Sequence, residues 1–332
     1  MEIVVSGIRP TGNLHLGNYL GALKNFVKMQ HEYNCYFFIA DYHSLTTHPH
    51  PADLHNTVKQ VLVEYLACGI DPEVATIYIQ SDLPETAELY LLMNMNAYVG
   101  ELERCTSFKD KIRNHADNVN AGLLTYPVLM AADILIHKAK YVPVGKDQEQ
   151  HLEMTRQFGN RFNRIYDVDY FEEPVAYNFG TELVKIPGLD GSGKMGKSEG
   201  EGNAIFLFDA PDVIRKKVMR AVSDAGPTEE NQKKPEAIEN LFTLMKTVSK
   251  PETVAFFDEQ YNTMKVRYGD LKKQLAEDMI TFVAPFRERI LELSNDNDYI
   301  NKVVKQGAEK AHESARKTVE EVREIIGFKR FG

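Results

Sequence analysis

Apolar positions in the first third of the chain alternate between two spacings. Ile3–Ser6, Tyr36–Ala40 and Ala75–Gln80 are short runs rich in β-branched and aromatic residues, the pattern of buried strands. Between them, residues 17–30 place Leu20, Leu23 and Val27 on one helical face. Residues 53–68 repeat Leu54, Val58, Val61 and Tyr65 before Gly69 and Pro72 stop the helix. Strands alternating with helices predict an α/β fold, a doubly wound parallel sheet with right-handed crossovers. Helical periodicity continues over 85–99, 120–138 and 146–164, and a strand is predicted at 183–187, with a strand-like run at Ala204–Phe208. From Ala210 onward strand patterns vanish. Amphipathic stretches at 211–222, 235–248, 267–294 and 298–326 follow, broken near Pro227, Pro251 and Asn295-Asp296. Two domains are expected, an α/β domain over 1–205 and a C-terminal all-helical domain over 206–332, with no internal repeat.

A length of 332 residues accommodates both, with 43% hydrophobic and 26% charged residues, ordinary for a soluble globular protein. No apolar run reaches the roughly 18–20 residues of a membrane span. Met1-Glu2-Ile3 carries no basic segment, so no signal peptide is expected. Cys35, Cys68 and Cys105 are odd in number and lack C-x-x-C spacing, which predicts buried thiols rather than disulfides or metal ligands. The formal charge of −9 argues against a generally basic nucleic-acid binder. Local basic clusters remain at Arg104/Lys109/Lys111/Arg113, Arg215/Lys216/Lys217/Arg220 and Lys329-Arg330, each readable as a solvated helix face or as a nucleic-acid contact.

Two segments carry the candidate chemistry. Thr11-Gly12-Asn13-Leu14-His15-Leu16-Gly17-Asn18 follows the first strand and opens a helix. There Gly17 lets the backbone approach a nucleotide, the helix brings its positive end, and His15 and Asn18 can donate to phosphate oxygens. Lys194-Met195-Gly196-Lys197-Ser198 puts two lysines in a glycine-rich loop, suited to charge developing on a transferring phosphate. Gly191 to Ser198 also fits the P-loop pattern letter for letter. A P-loop needs a helix at its Lys-Ser, whereas Glu199-Gly200-Glu201-Gly202-Asn203 follows here, so a closing loop fits better.

Asp133 lies alone in an otherwise apolar helical stretch. A buried carboxylate requires a donor, either an internal one, with His137 one turn on as candidate, or one on a ligand, such as an indole N–H or a phenol. Asp147, in the turn after Val142–Gly145, is placed to take ribose hydroxyls. His43, His48, His50 and His55 are irregularly spaced around prolines, which favours a solvated loop over a metal site.

These segments, taken with Ser6–Gly12, Gly69–Pro72, Gly100–Arg104, Ala121–Pro127, Met130–Leu135 and Val142–Gln148, resemble the bacterial tryptophanyl-tRNA synthetases, class I aminoacyl-tRNA synthetases, in order along the chain. The resemblance implies a Rossmann-like catalytic domain and a helical anticodon-binding domain. It implies a cytoplasmic homodimeric ligase acting on L-tryptophan, ATP with Mg2+ and tRNA(Trp), with no protein-bound metal or iron–sulfur cluster. His15, Asn18, Lys194, Lys197 and Ser198 would act in catalysis. Arg9, Pro10, Thr11, Gly17, Gly145, Lys146, Asp147, Lys185, Ile186, Met195 and Gly196 would join them around ATP. Asp133 would accept the indole N–H, with Val5, Met130, Val142 and Val144 around the ring, while Tyr126 and Gln148 hold the amino group. Two positions depart from the family pattern: Gly196 stands where serine is commoner, and Arg9 where many members carry glutamine. The related tyrosyl-tRNA synthetases place a tyrosine where Val5 stands, which weakens a tyrosine-activating reading. A non-catalytic nucleotide-binding protein of the same fold is opposed by the joint presence of His15, both lysines and Asp133.

Overall fold

The computed structural model describes residues 1–114, 116–145, 148–177, 186–191, 193–196 and 200–329, with only the backbone of residues 111, 114, 116 and 201. Its centre is a five-stranded parallel sheet in the order β3-β2-β1-β4-β5. The strands are β1 (Ile3–Ile8), β2 (Asn34–Ile39), β3 (Thr76–Ile79), β4 (Tyr141–Pro143) and β5 (Val175–Tyr177). Register pairs Val5 with Tyr36 and Phe37 with Ile77. Period-two alternation sends Val4, Phe37 and Ile77 to one core and Val5, Tyr36, Phe38 and Tyr78 to the other, so both sheet faces are covered.

The helix after β1, α1, runs as Leu16–Asn18, a π-helical turn Tyr19–Leu23 and Lys24–Met29. With α2 (Pro51–Ala67) it packs on one sheet face. The other face takes α3 (Pro84–Asn94), α5 (Ala121–Leu135) and α6 (Glu149–Tyr166), with α4 (Thr106–Asn114) beside them. Proline at the first turns of α2 and α3 sets their start, because its missing N–H is unpaired there in any helix.

Then come α7 (Pro211–Met219), α8 (Glu236–Val248), α9 (Pro251–Asn262), α10 (Tyr268–Ser294) and α11 (Asn297–Ile326). From α7 to α10 they build a separate apolar cluster that also includes Leu16, Leu20, Met195 and Ile205. The last helix returns to the sheet. Ile300 and Val303 join one core, Ala311, Ala315 and Val319 the other, so α11 crosses the edge strand β3. Gly307 makes the crossing possible: a Cβ there would lie 1.6 Å from the Ile77 carbonyl oxygen.

The doubly wound parallel sheet is as predicted, and no strand occurs after residue 210 among the described residues. Several local readings need correction. Ala204–Phe208 is no strand but makes a single antiparallel bridge, Phe206 to His15. The helix predicted over 85–99 ends at Asn94 and resumes at Val99–Leu102. The sequence reading missed β5, α4 and α9. The strand predicted at 183–187 lies mostly outside the described residues. No described helix is long and apolar enough to cross a membrane.

Candidate active site

Parallel sheets offer a crevice at the carboxyl ends of their strands, where the connections diverge to opposite sides. Here that point lies between β1 and β4, the neighbours from which the chain winds outward. A cavity of about 260 Å³ opens there. Val5, Gly7 and Arg9 come from β1 and its exit, Phe38 and Ala40 from the end of β2, and His43 from the short helix Asp41–Ser44. Tyr126, Met130 and Asp133 reach it from α5, and Val142, Val144, Gly145 and Gln148 from β4 and the turn into α6. Gly7 has a steric reason: its Cβ would sit 2.3 Å from the Phe38 ring that lies against this strand. All seven residues that the resemblance assigns to tryptophan line this one cavity.

Asp133 is 2% exposed at the cavity's edge. Its Oδ1 accepts from Gln80 Nε2 at 2.6 Å, and its Oδ2 from His43 Nε2 at 2.8 Å. Burial raises its carboxyl above the usual range, and the His43 and Gln80 bonds oppose that shift. Gln80 cannot turn freely, because its Oε1 accepts the Tyr42 N–H at 3.1 Å. The internal donors of Asp133 are therefore His43 and Gln80, not His137. His137 instead stacks on Tyr36 and bonds Tyr78 and Ser314 of α11, and burial lowers its pKa to about 3. The solvated-loop reading fails for His43, which is 4% exposed. The sequence reading placed His43 in a solvated loop and Gln80 at the end of a predicted strand, and missed both as partners of Asp133; their places at the ends of β2 and β3 are the signal that could have marked them.

Arg9 enters from the nucleotide side. Its Nε is buried with no hydrogen-bond partner, and no salt bridge reaches it among the described residues. Its positive charge opposes the upward shift that burial gives the Tyr126 phenol. An unmatched guanidinium in a cleft is suited to an anionic ligand.

His15 and Asn18 form a reciprocal cap. His15 Nδ1 accepts the Asn18 N–H at 3.2 Å, and Asn18 Oδ1 accepts the His15 N–H at 3.0 Å. An accepting Nδ1 puts the neutral ring's proton on Nε2, making that atom the donor. The two nucleotide signatures meet at Gly17, where an added Cβ would lie 2.9 Å from His15 Nδ1 and 3.6 Å from Met195 Cβ. Met195 is buried and its N–H donates to the Ile186 carbonyl at 2.7 Å, while Lys194 stands exposed beside it. Pro10 is buried, Thr11 is exposed, and Gly196 is partly buried. Lys146, Asp147, Lys185, Lys197 and Ser198 lie outside the described residues. After them Gly200 takes φ 102° and a 3-10 turn, Glu201–Asn203, follows, so the described residues 200–203 do not carry the α-helix a P-loop needs. Of the basic clusters, Arg215 pairs with Asp212 and Glu277 and Lys217 with Asp209, so these two side chains serve structure.

The three cysteines are free and buried. Burial pushes the Cys35 thiol up to about 12 and Cys68 higher still. Cys105 differs: burial acts the same way, but hydrogen bonds from His151 and Ser107 prevail and bring it down to about 7. Among the described residues no group of three or more His, Cys, Asp or Glu side chains is arranged to hold a metal ion.

A family profile described as "tRNA synthetases class I (W and Y)" matches residues 2–284. A tryptophan–tRNA ligase of Porphyromonas gingivalis is 63% identical over 99% of this chain and 100% of its own length. One from Clostridium perfringens is 42% identical over 98% of each. The crystal structure of tryptophanyl-tRNA synthetase from Campylobacter jejuni complexed with ADP and tryptophan superposes with a TM-score of 0.89, at 32% identity, over 98% of this chain and 100% of that one. The resemblance read from the sequence is thereby borne out, and the chain belongs to the tryptophan–tRNA ligases of the class I synthetase family.

Proposed function

We infer that the cavity at the β1/β4 switch point takes L-tryptophan and that the Gly17 turn and the lysine loop take ATP with its Mg2+. The chain is a tryptophan–tRNA ligase, forming tryptophanyl-adenylate and transferring the amino acid to tRNA(Trp). In the first step a tryptophan carboxylate oxygen bonds to the α-phosphorus of ATP, the bond to the bridging oxygen breaks, and pyrophosphate leaves. In the second, a ribose hydroxyl at the tRNA 3′ end attacks the carbonyl and AMP leaves. No side chain becomes covalently bound; the protein contributes positioning and charge stabilisation.

The observation that carries this reading is Asp133, a carboxylate fixed by two internal donors at the edge of an apolar cavity. An indole is apolar except for one N–H, which needs an acceptor held in place. Val5, Met130, Val142 and Val144 flank the ring, while Tyr126 and Gln148 face the amino group. Arg9, Pro10, Thr11, Gly17, Gly145, Lys146, Asp147, Lys185, Ile186, Met195 and Gly196 surround the nucleotide. His15 Nε2–H and the Asn18 amide hold phosphate oxygens, and Lys194, Lys197 and Ser198 stabilise charge moving onto pyrophosphate. The helical part, 206–332, reads the tRNA anticodon, and the working unit is a cytoplasmic homodimer.

Pyrophosphate exchange into ATP, run with each of the twenty amino acids, tests the assignment. Exchange driven by tryptophan is expected. Exchange driven by tyrosine and not tryptophan overturns the pocket assignment.

A further inference from the structure

His151 occupies the first turn of α6 and is 2% exposed. It does not line the cavity, yet it stands behind both residues read as holding the substrate's amino group. Its Nδ1 lies 2.9 Å from Gln148 Oε1, and its ring meets the Tyr126 ring edge-on at 5.5 Å between centroids. On its far side, Nε2 lies 2.9 Å from Ser107 Oγ and 3.6 Å from Cys105 Sγ. Ser107 Oγ and Cys105 Sγ are 3.2 Å apart.

The direction of these bonds follows from valence. An amide oxygen only accepts, so the proton sits on His151 Nδ1. The neutral ring then accepts at Nε2, taking the Ser107 hydroxyl hydrogen, and Ser107 in turn can take the Cys105 S–H. A chain of oriented donors thus ends on Gln148.

We propose that His151, oriented by Ser107 and Cys105, is a positioning residue that fixes the Gln148 carboxamide and thereby sets recognition of the substrate's amino group. This rests on the reading that Gln148 faces that group. Glutamine at the mouth of a helix has three side-chain torsions to restrain. A buried donor on its oxygen removes that freedom before the substrate arrives.

The test uses the full chain in pyrophosphate exchange. His151→Leu keeps the bulk and deletes the donor, whereas His151→Asn presents an amide N–H near the place of Nδ1. With Leu, KM for tryptophan should rise about three- to tenfold, the scale of one neutral hydrogen bond, with kcat and KM for ATP within about twofold. Asn should restore most of it. Indole-3-propionate, which has the ring and carboxylate but no amine, should inhibit wild type and His151→Leu equally. A purely structural role predicts that tryptophan and indole-3-propionate weaken together and that Asn does not rescue; either result overturns the inference. If His151→Leu does not fold, Ser107→Ala serves instead. It should raise KM for tryptophan about two- to threefold and leave the inhibitor unaffected, and an unchanged KM overturns the inference. Gln148→Ala separates the two levels. If it raises KM and His151→Leu does not, the inference alone fails; if it leaves KM unchanged, the reading of the pocket fails and the inference with it.

Discussion

Removing the Asp133 carboxylate separates a structural acid from a recognition acid, because its two oxygens have known partners. Asp133→Ala strands the Nε2–H groups of Gln80 and His43, in side chains 0% and 4% exposed. A buried donor left unpaired costs about 1–3 kcal/mol, so the two together cost about 2–6. Relief of the buried charge offsets part of this, since burial raises the Asp133 pKa. A net loss of about 3 kcal/mol follows, or roughly 4 °C in Tm for a chain of this length. Asp133→Asn should behave differently. Its Oδ1 can still accept from Gln80, and its NH2 can donate to His43 Nε2 once the ring proton moves to Nδ1, which has no partner now. The protonated Nδ1 is then one buried donor without a partner, against two in the Ala variant, so the stability loss should be about half as large, roughly 1–2 kcal/mol. Substrate recognition should grade the other way: Asn keeps a neutral acceptor and lowers kcat/KM for tryptophan roughly five- to tenfold, whereas Ala lowers it roughly 30- to 150-fold. The pH dependence has a definite sign. A raised native pKa means the native state holds its proton longer, so this group's stabilising contribution is greatest below the unfolded value of 3.8 and falls as pH rises through the native one. The stability of Asp133→Asn relative to wild type should therefore improve with pH across that interval. Thermal melts and tryptophan-dependent exchange, measured on the same preparations, supply both quantities. Equal destabilisation by Asn and Ala, with kcat/KM unchanged in Asn, would falsify the recognition role.

Lys197→Ala should slow adenylate formation by about 10²–10³ while leaving tryptophan affinity without ATP unchanged; equal loss in both would mean the loop serves structure. Gly307→Ala drives a methyl to 1.6 Å from the Ile77 carbonyl oxygen. Displacing α11 costs about 3 kcal/mol against about 1 kcal/mol gained in helix propensity, so Tm should fall by roughly 3 °C, and an unchanged Tm contradicts the close approach. Cys105 should ionise along a titration centred near its pKa of about 7, read as ultraviolet thiolate absorbance, whereas Cys35 stays protonated below its value of about 12. A native pKa below the unfolded value of 9 adds stability that is complete above pH 9 and lost as pH falls through 7. A Cys105 midpoint at 9 would show that the His151 and Ser107 bonds are absent.

How far the sequence could be read depends on what periodicity encodes. Alternating β-branched runs and an amphipathic helix specify a covered parallel sheet, and a lone acid at position 133 announces that something must donate to it. Neither names the partner. Gln80 and His43 follow β3 and β2, and they meet Asp133 only because those strand ends converge. His137, one turn away in sequence, points instead at α11. The three-residue β5 is too short to show alternation. Ala204–Phe208 has strand composition but finds only His15 to pair with. The amphipathic face of α11 was legible, but the sheet edge it covers was not. Gly307, isolated in a helical pattern, was the one unread clue to a backbone pressed against it.

That crossing has a consequence in time. A ribosome delivers the β3 segment long before the helix that shields it, and roughly 230 residues separate Ile77 from Gly307. At about 5–20 residues per second, the edge strand waits roughly 10–50 s for its cover. During that interval the nascent sheet presents unpaired backbone groups to any neighbouring strand. A message truncated before codon 307 would release a chain that holds the strands and both nucleotide signatures yet has an open edge. Such fragments are candidates for aggregation rather than partial activity, and completion of the catalytic half waits on a helix made about 230 residues after the strand it covers.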